Sequence, residues 1–151
     1  MFGSLLAVGS KAPEFVVLDD GGNKLTLAML RGAPTVLVFY PGDDTTICTA
    51  QLCEIRDNWN AFRQLGARVY GVNGQGQRSH RHFIEKHRFP FPLLADERWR
   101  MCRAYGCGFW IVRRTVYVID DGGVIRYAQR GKPSTAEILN AVEGCSKTTI
   151  S

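Results

Sequence analysis

The spacing of apolar positions divides the chain into strands and helices before any side-chain chemistry is considered. Residues 15–18 (Phe-Val-Val-Leu) and 24–27 (Lys-Leu-Thr-Leu) flank Asp20-Gly21-Gly22-Asn23, a hairpin pattern. Residues 28–32 read as a short turn or helical piece. The run at 35–40 (Thr-Val-Leu-Val-Phe-Tyr) predicts a short buried strand that Pro41 and Gly42 stop. Cys48, Leu52, Ile55, Trp59 and Phe62 then recur at spacings of four, three, four and three, the stripe of one helix. Glu54, Asp57, Asn58 and Arg63 fall on its other face. Thr45 and Thr46 are cap residues for its start, and Gly66 ends it. Residues 67–72 form the next strand. Strand, helix and strand at this spacing make a βαβ unit with parallel strands.

The second half continues in short elements. Residues 73–77 form a loop at the carboxyl end of a strand, which is either a border of a ligand site or a plain linker. Ser79 can cap a helix running to His87. Phe89-Pro90-Phe91-Pro92 is extended, because each proline pushes its predecessor out of the helical region. Residues 93–95 form a short strand, and Asp96 caps a helix that Gly106 closes. Residues 115–119 and 124–128 flank Asp120-Asp121-Gly122-Gly123, a second hairpin. Ser134-Thr135-Ala136-Glu137 is a capping box. Ile138, Leu139 and Val142 give the last helix its apolar face, and Gly144 stops it. The expectation is an α/β chain forming one domain over residues 1–151, with a central mixed β-sheet flanked by helices. A βαβ unit followed by a hairpin and a final helix is the thioredoxin-like arrangement, here enlarged by an extra N-terminal β-hairpin.

Composition narrows the class. At 151 residues the chain can bury a sizeable core. With 45% hydrophobic and 22% charged residues it is neither a disordered nor a membrane-spanning sequence. The first eleven residues hold an apolar patch at 5–8 with no basic residue ahead of it, so they read as a start segment and not a signal peptide, which points to the cytoplasm. The net charge of +5 raises nucleic acid or an acidic surface as a partner, and Arg78-Ser79-His80-Arg81-His82 with Arg98-Trp99-Arg100 is the densest basic region. No nucleic-acid motif accompanies it, so it reads as a solvated face balanced by Glu85, Asp96 and Glu97. The five cysteines, an odd count, argue against a structural disulfide framework and for reduced, chemically active thiols. His80, His82 and His87 share a helix, but no cysteine or carboxylate stands at ligand spacing with them. They are expected at the surface or the core edge, with no metal.

Cys48 is where chemistry enters. It falls in the first turn of its helix, where the dipole and free N–H groups favour an anion, and the thiolate is the nucleophilic form of cysteine. Thr45, three residues earlier, can set its hydroxyl beside the sulfur. Pro41 fixes the entry of the loop and has no N–H of its own. A cation would stabilise a thiolate further, yet none lies nearby before Arg56. It must come from a distant segment, and Arg113 and Arg114 are the candidates. Without such partners Cys48 would read as a small buried hydrophobe, and Cys53 as a surface cysteine with no role. Five residues along an intact helix are roughly 7.5 Å of rise and about 140° of rotation. The two Cα atoms are then roughly 8–9 Å apart, beyond disulfide reach. A Cys48–Cys53 disulfide requires the first turns of the helix to unwind.

Phe39-Tyr40-Pro41, Thr45 and Cys48-Thr49 resemble the peroxiredoxin active-site motif. Cys-x4-Cys in one helix, followed by Arg56-Asp57, resembles the bacterioferritin comigratory (peroxiredoxin Q) subfamily. Ala12-Pro13-Glu14-Phe15 is similar to the family's opening. Ser79-His80 with residues 89–96 is similar to its middle, and Tyr105-Gly106 and Val118-Ile119-Asp120 to its later part. The resemblance implies a thiol peroxidase for hydrogen peroxide and small organic hydroperoxides, with no metal, haem or flavin. It implies Cys48 as the peroxidatic nucleophile, oxidised to a sulfenic acid. Thr45 would hydrogen-bond peroxide and thiolate, and Pro41 would shield the pocket. Cys53 would resolve the sulfenic acid as an intramolecular disulfide that thioredoxin or a similar dithiol reduces. The family's arginine stands six residues before the aspartate that closes the Val-Ile-Asp strand, which selects Arg114 over Arg113. A monomer or weak homodimer with no nucleic-acid or membrane partner is expected.

The chain departs from the family pattern in three places. Thr46-Ile47 stands where many members have Pro-Gly, residues 73–77 replace a Ser-x-Asp pattern, and the connection from Tyr105 to Arg114 is short. Some members resolve with a cysteine outside this helix, which makes Cys102 a rival resolver. Its neighbours Trp99 and Tyr105 point to a core position, and Cys107 and Cys145 read as incidental. A thioredoxin-like disulfide reductase is disfavoured because Cys-x-x-Cys is absent. A non-catalytic redox sensor shares the first chemical step and differs in turnover.

Overall fold

A computed structural model describes residues 3–147. The strands are β1 (Val16–Asp19), β2 (Lys24–Thr26), β3 (Thr35–Phe39), β4 (Arg68–Asn73), β5 (Leu93–Ala95), β6 (Thr115–Ile119) and β7 (Ile125–Arg130). The helices are α1 (Thr46–Asp57), α2 (Trp59–Gln64), α3 (Gln77–His87), α4 (Arg100–Ala104) and α5 (Thr135–Lys147), and one 3-10 turn covers Leu27–Leu30. The strands form a mixed sheet in the order β2-β1-β5-β4-β3-β6-β7. β3 and β4 pair in parallel, as a βαβ unit requires, whereas β6 runs antiparallel to β3. Both predicted hairpins are present, and the N-terminal one joins the sheet through β5. This is the expected thioredoxin-like arrangement.

Every residue of β3 is buried, because helices or loops cover both faces of the central strands. Alternation along the strand divides the core in two. Val36, Val38 and Tyr40 pack with Cys48, Leu52 and Ile55 of α1, Phe62 of α2, and Ile138 and Val142 of α5. Leu37 and Phe39 point the other way, to Phe15, Leu94, Met101, Tyr105 and Tyr117. α1 therefore lies on the face of the sheet opposite the N-terminal hairpin's Phe15. Each fully buried side chain of this size contributes about 1.5–3 kcal/mol relative to exposure.

The boundaries differ from expectation where a side chain redirects the backbone. The stripe from Cys48 to Phe62 predicts one helix, but the structure breaks it at Asn58 into α1 and α2. The Asn58 side chain donates to the Glu54 carbonyl at 2.8 Å, a local bond that competes with helix propagation. Ser79 lies inside α3, whose N-cap is Gly76, and its hydroxyl turns to the Asp43 carboxylate instead. Gly144 does not stop α5, because Cys145 extends the buried line of Ile138 and Val142 beyond it.

Asp96 does serve α4: its two carboxylate oxygens accept from the Met101 and Cys102 amides at 3.2 and 2.7 Å. Being buried there, it does not balance the basic face as expected. The N-terminal stretch is packed against the body of the fold. Leu6 donates its amide to the Tyr117 hydroxyl, Gly9 to the Ile125 carbonyl, and Arg130 reaches the Gly3 carbonyl.

Candidate active site

The register of β3 against β6 brings the distant cation to the thiol. Phe39 at the end of β3 pairs with Thr115 at the start of β6. Arg114 therefore emerges beside the point where the chain leaves β3 and turns into α1. Its Nη2 donates to the Cys48 sulfur at 3.1 Å, across a sequence separation of 66 residues. Cys48 is the third residue of α1 and fully buried. The first intrahelical bond is donated by the Thr49 amide to the Thr45 carbonyl at 2.8 Å. The amides of Thr46, Ile47 and Cys48 precede it and belong to the unpaired, electropositive end of the helix. Sulfur, helix terminus and guanidinium converge, as anionic sulfur chemistry needs.

Arg114 is itself positioned by Gln51, one turn after Cys48, whose Oε1 accepts from Arg114 Nη1 at 3.0 Å. Gln51 is almost fully buried, and its Nε2 has no partner among the described residues. Gln51 was not among the residues expected at the site. The signal was available, since a polar residue three positions after Cys48 shares its side of the helix.

Thr45 is the N-cap residue by backbone geometry, but its hydroxyl does not cap the helix. It donates to the Gly42 carbonyl at 3.2 Å, which closes the turn after Pro41. Arg114, rather than Thr45, is the side chain hydrogen-bonded to the sulfur in this state. Pro41 is exposed and carries the chain out of β3. Arg113 is exposed and directs its backbone amide to the Cys107 carbonyl. The α1 helix is intact across both cysteines, and Cys53 is half-buried with a free thiol.

The loop between β3 and α1 is held by a polar cluster that the sequence pattern does not announce. The Asp43 carboxylate accepts from the Tyr40 hydroxyl at 2.5 Å, the Ser79 hydroxyl at 2.7 Å and the Asn73 amide at 3.2 Å, and bonds His80 Nδ1 at 2.7 Å. Burial alone would push its pKa up. The His80 hydrogen bond and charge, with the Tyr40 and Ser79 bonds, outweigh burial and hold it below the usual carboxylate value. The Tyr40 hydroxyl is driven well above its ordinary range, by burial first and then by Asp43 and Cys48. His80, expected at the surface or the core edge, is fully buried. Both its ring nitrogens are engaged, which leaves no lone pair for a metal.

Cys102 takes the core position that its neighbours predict. It is fully buried, and burial, reinforced by the Asp96 charge, pushes its thiol far up in pKa. Cys107 is likewise buried, its thiol pushed up to about 11 by desolvation.

Known proteins resemble this chain in sequence and in fold. The AhpC/TSA family profile matches residues 8–128. Over 79% of its length the chain is 37% identical to a protein of Oryza sativa subsp. japonica named "Peroxiredoxin Q, chloroplastic". It spans 57% of that plant protein's length. A bcp-type peroxiredoxin of Coxiella burnetii is 36% identical over 80% of this chain and 85% of its own. Among solved structures, peroxidoxin BcpB of Mycobacterium tuberculosis superposes with a TM-score of 0.84 at 27% identity, covering 91% of this chain and 96% of that one. A cysteine-to-serine mutant of Xylella fastidiosa PrxQ gives a TM-score of 0.86 at 26% identity, covering 95% and 99%. A profile match over most of the chain, relatives above the 30% level and the superposed structures agree on the family and the fold. The chain belongs to the AhpC/TSA family of peroxiredoxins, in its bacterioferritin comigratory/peroxiredoxin Q branch.

Proposed function

We propose that the chain is a thiol-dependent peroxidase that acts on hydrogen peroxide and small organic hydroperoxides. The observation that carries the reading is the Arg114 guanidinium on the sulfur of Cys48 at the N-terminus of α1. The Cys48 thiolate attacks one peroxide oxygen. An S–O bond forms, the O–O bond breaks, and its electron pair leaves on the second oxygen. With a proton from solvent that oxygen departs as water or an alcohol, and Cys48 becomes a sulfenic acid. Fixed donors stabilise the charge that builds on the leaving oxygen, and Arg114 is the donor already aimed at the site. Its fork has one arm on the sulfur and one on Gln51, so it needs little reorganisation. Thr45 and Pro41 complete the reading as the loop residues next to the incoming peroxide.

Cys53 then attacks the sulfenic sulfur, releasing water and forming the Cys48–Cys53 disulfide. The cysteines stand five residues apart in an intact helix, so this step requires α1 to unwind locally. A dithiol of the thioredoxin class restores both thiols by exchange and is itself oxidised to a disulfide. We place the protein in a thiol-reducing compartment such as the cytoplasm.

The test is a thioredoxin-coupled peroxide assay with single serine variants. Cys48→Ser abolishes turnover. Cys53→Ser forms sulfenic acid at Cys48 but stalls with thioredoxin. Full activity of Cys48→Ser overturns the reading. A protein that forms the disulfide once and is not recycled by any dithiol is a redox switch instead.

A further inference from the structure

The unwinding step needs a place to begin. Within the loop and the first turns of α1, anchoring changes abruptly at Asp43. On one side, the Asp43 amide donates to Gln75 Oε1 at 2.5 Å, and its carboxylate takes four partners, Tyr40 just after β3, Asn73 of β4, and Ser79 and His80 of α3. The side chains of Asp43 and His80 are 3% and 0% exposed. On the other side, Asp44, Thr45, Thr46, Ile47 and Ala50 are exposed, and Cys48 is the one deeply buried residue before Gln51. Among the described residues Asp44, itself exposed, pairs with Lys86 and His87 of α3. Segments with few buried contacts open locally, whereas networked segments follow global unfolding.

The chemistry of the pair makes the anchor firm. His80 Nε2 lies 2.9 Å from the Leu94 carbonyl of β5, which can only accept, so Nε2 carries a proton. Nδ1 faces the Asp43 carboxylate at 2.7 Å. Whichever of the two holds the remaining proton, that proton bonds the loop to α3. Through Leu94 the same ring is fastened to the sheet. Separating the groups would cost a buried carboxylate and a buried imidazole their shared hydrogen bond and leave His80 Nδ1 unpaired in the core.

We propose that Asp43 and His80 are positioning residues that fix the N-terminal boundary of the unwinding segment. Residues 44–53 open to let Cys48 reach Cys53, while the Pro41–Asp43 loop stays docked. On reduction α1 rewinds from a fixed start, which returns the sulfur to Arg114. The inference rests on the reading of Cys48 and Cys53 as the redox pair.

Amide hydrogen exchange on the unmodified protein tests it without a variant. In the disulfide form, amides of 49–54 exchange faster than in the dithiol form, while the Asp43 amide keeps equal protection in both. An Asp43 amide that loses protection together with 49–54 overturns the inference, as does unchanged protection of 49–54. Failure of peroxide to produce any Cys48–Cys53 disulfide would overturn the functional reading instead, so the two failures are distinguishable.

Stopped-flow kinetics of Asp43→Asn and His80→Gln supply the second arm. With the anchor weakened, formation of the sulfenic acid slows about tenfold while disulfide formation is unchanged or faster, the size expected from one hydrogen bond to a charged group. A purely structural role would slow both steps in proportion, and such parallel loss, or no change in either step, overturns the proposal.

Discussion

Arg114 touches Cys48 and Gln51 at once, with Nη2 3.1 Å from the sulfur and Nη1 3.0 Å from the amide oxygen. The two contacts come from one planar fork, so the geometry at the sulfur depends on the amide one helical turn away. Replacing Arg114 by alanine removes the donor at the reacting atom. The expected loss in the rate of Cys48 oxidation is about 10²–10³-fold, the usual size for one preorganised donor. Arg114→Lys keeps the charge but cannot span both contacts, and it falls between the two. Stopped-flow measurement of sulfenic acid formation checks the order wild type, lysine, alanine. An alanine variant as fast as wild type would exclude Arg114 from the chemistry.

Gln51 is the indirect partner, and its effect is correspondingly smaller. Gln51→Ala frees one arm of Arg114 and leaves a small void in the core beneath α1. A neutral acceptor of this kind is worth about 1 kcal/mol, so the peroxide rate drops roughly fivefold. The Gln51→Met variant, which fills the volume without accepting a hydrogen bond, separates packing from positioning. It recovers thermal stability but not the rate.

Cys102 and Cys107 are expected to be spectators. Burial keeps both thiols protonated at neutral pH, and Cys102 also faces the Asp96 carboxylate. Cys102→Ala therefore leaves thioredoxin-coupled turnover within a factor of about two, and loses stability by the lesser part of a large-to-small core change, about 1 kcal/mol. Alkylation of the native dithiol protein at pH 8 followed by mass spectrometry gives label on Cys53 and none on Cys102 or Cys107. Label on Cys102 would reopen it as a resolving residue.

These residues show how much the sequence could tell. The apolar stripe, the two aspartate-glycine hairpins and the βαβ spacing suffice for the two hairpins, the parallel β3–β4 pair and Cys48 at a helix start, because each is a local pattern with one physical solution. Arg114 was legible only by counting back from Asp120. Nothing local says that β6 will lie antiparallel to β3 with Thr115 opposite Phe39. The Asp43–His80 pair was not legible at all. Asp43 reads as a loop carboxylate and His80 as one polar residue in a basic run, and only the docking of α3 beside β5 makes them partners. The break at Asn58 was hidden for the opposite reason, since the apolar period continues through it while one side-chain bond to Glu54 interrupts the backbone. Long-range pairing and side-chain competition are the two kinds of information that periodicity does not carry.

The carboxylates define how the fold responds to acid. Asp43 and Asp120 both have pKa values held below the ordinary carboxylate value near 4. In each, burial acts upward and is outweighed, by His80 with Tyr40 and Ser79 for Asp43, and by the Val124 amide, Arg126 and the Gly122 amide for Asp120. A folded-state pKa depressed below the unfolded one adds stability that is complete above the unfolded value and disappears as pH falls through the folded one. The protein therefore holds a plateau of stability above about pH 5 and loses it progressively below about pH 4. Urea unfolding at intervals from pH 7 to pH 3 measures the slope. Asp43→Asn removes one of the carboxylates whose pKa the fold lowers, so it unfolds at lower urea at pH 7 and shows a shallower fall toward pH 3. An unaltered slope in that variant would mean that Asp43 does not titrate on unfolding, and that the donors around it do not hold a carboxylate anion.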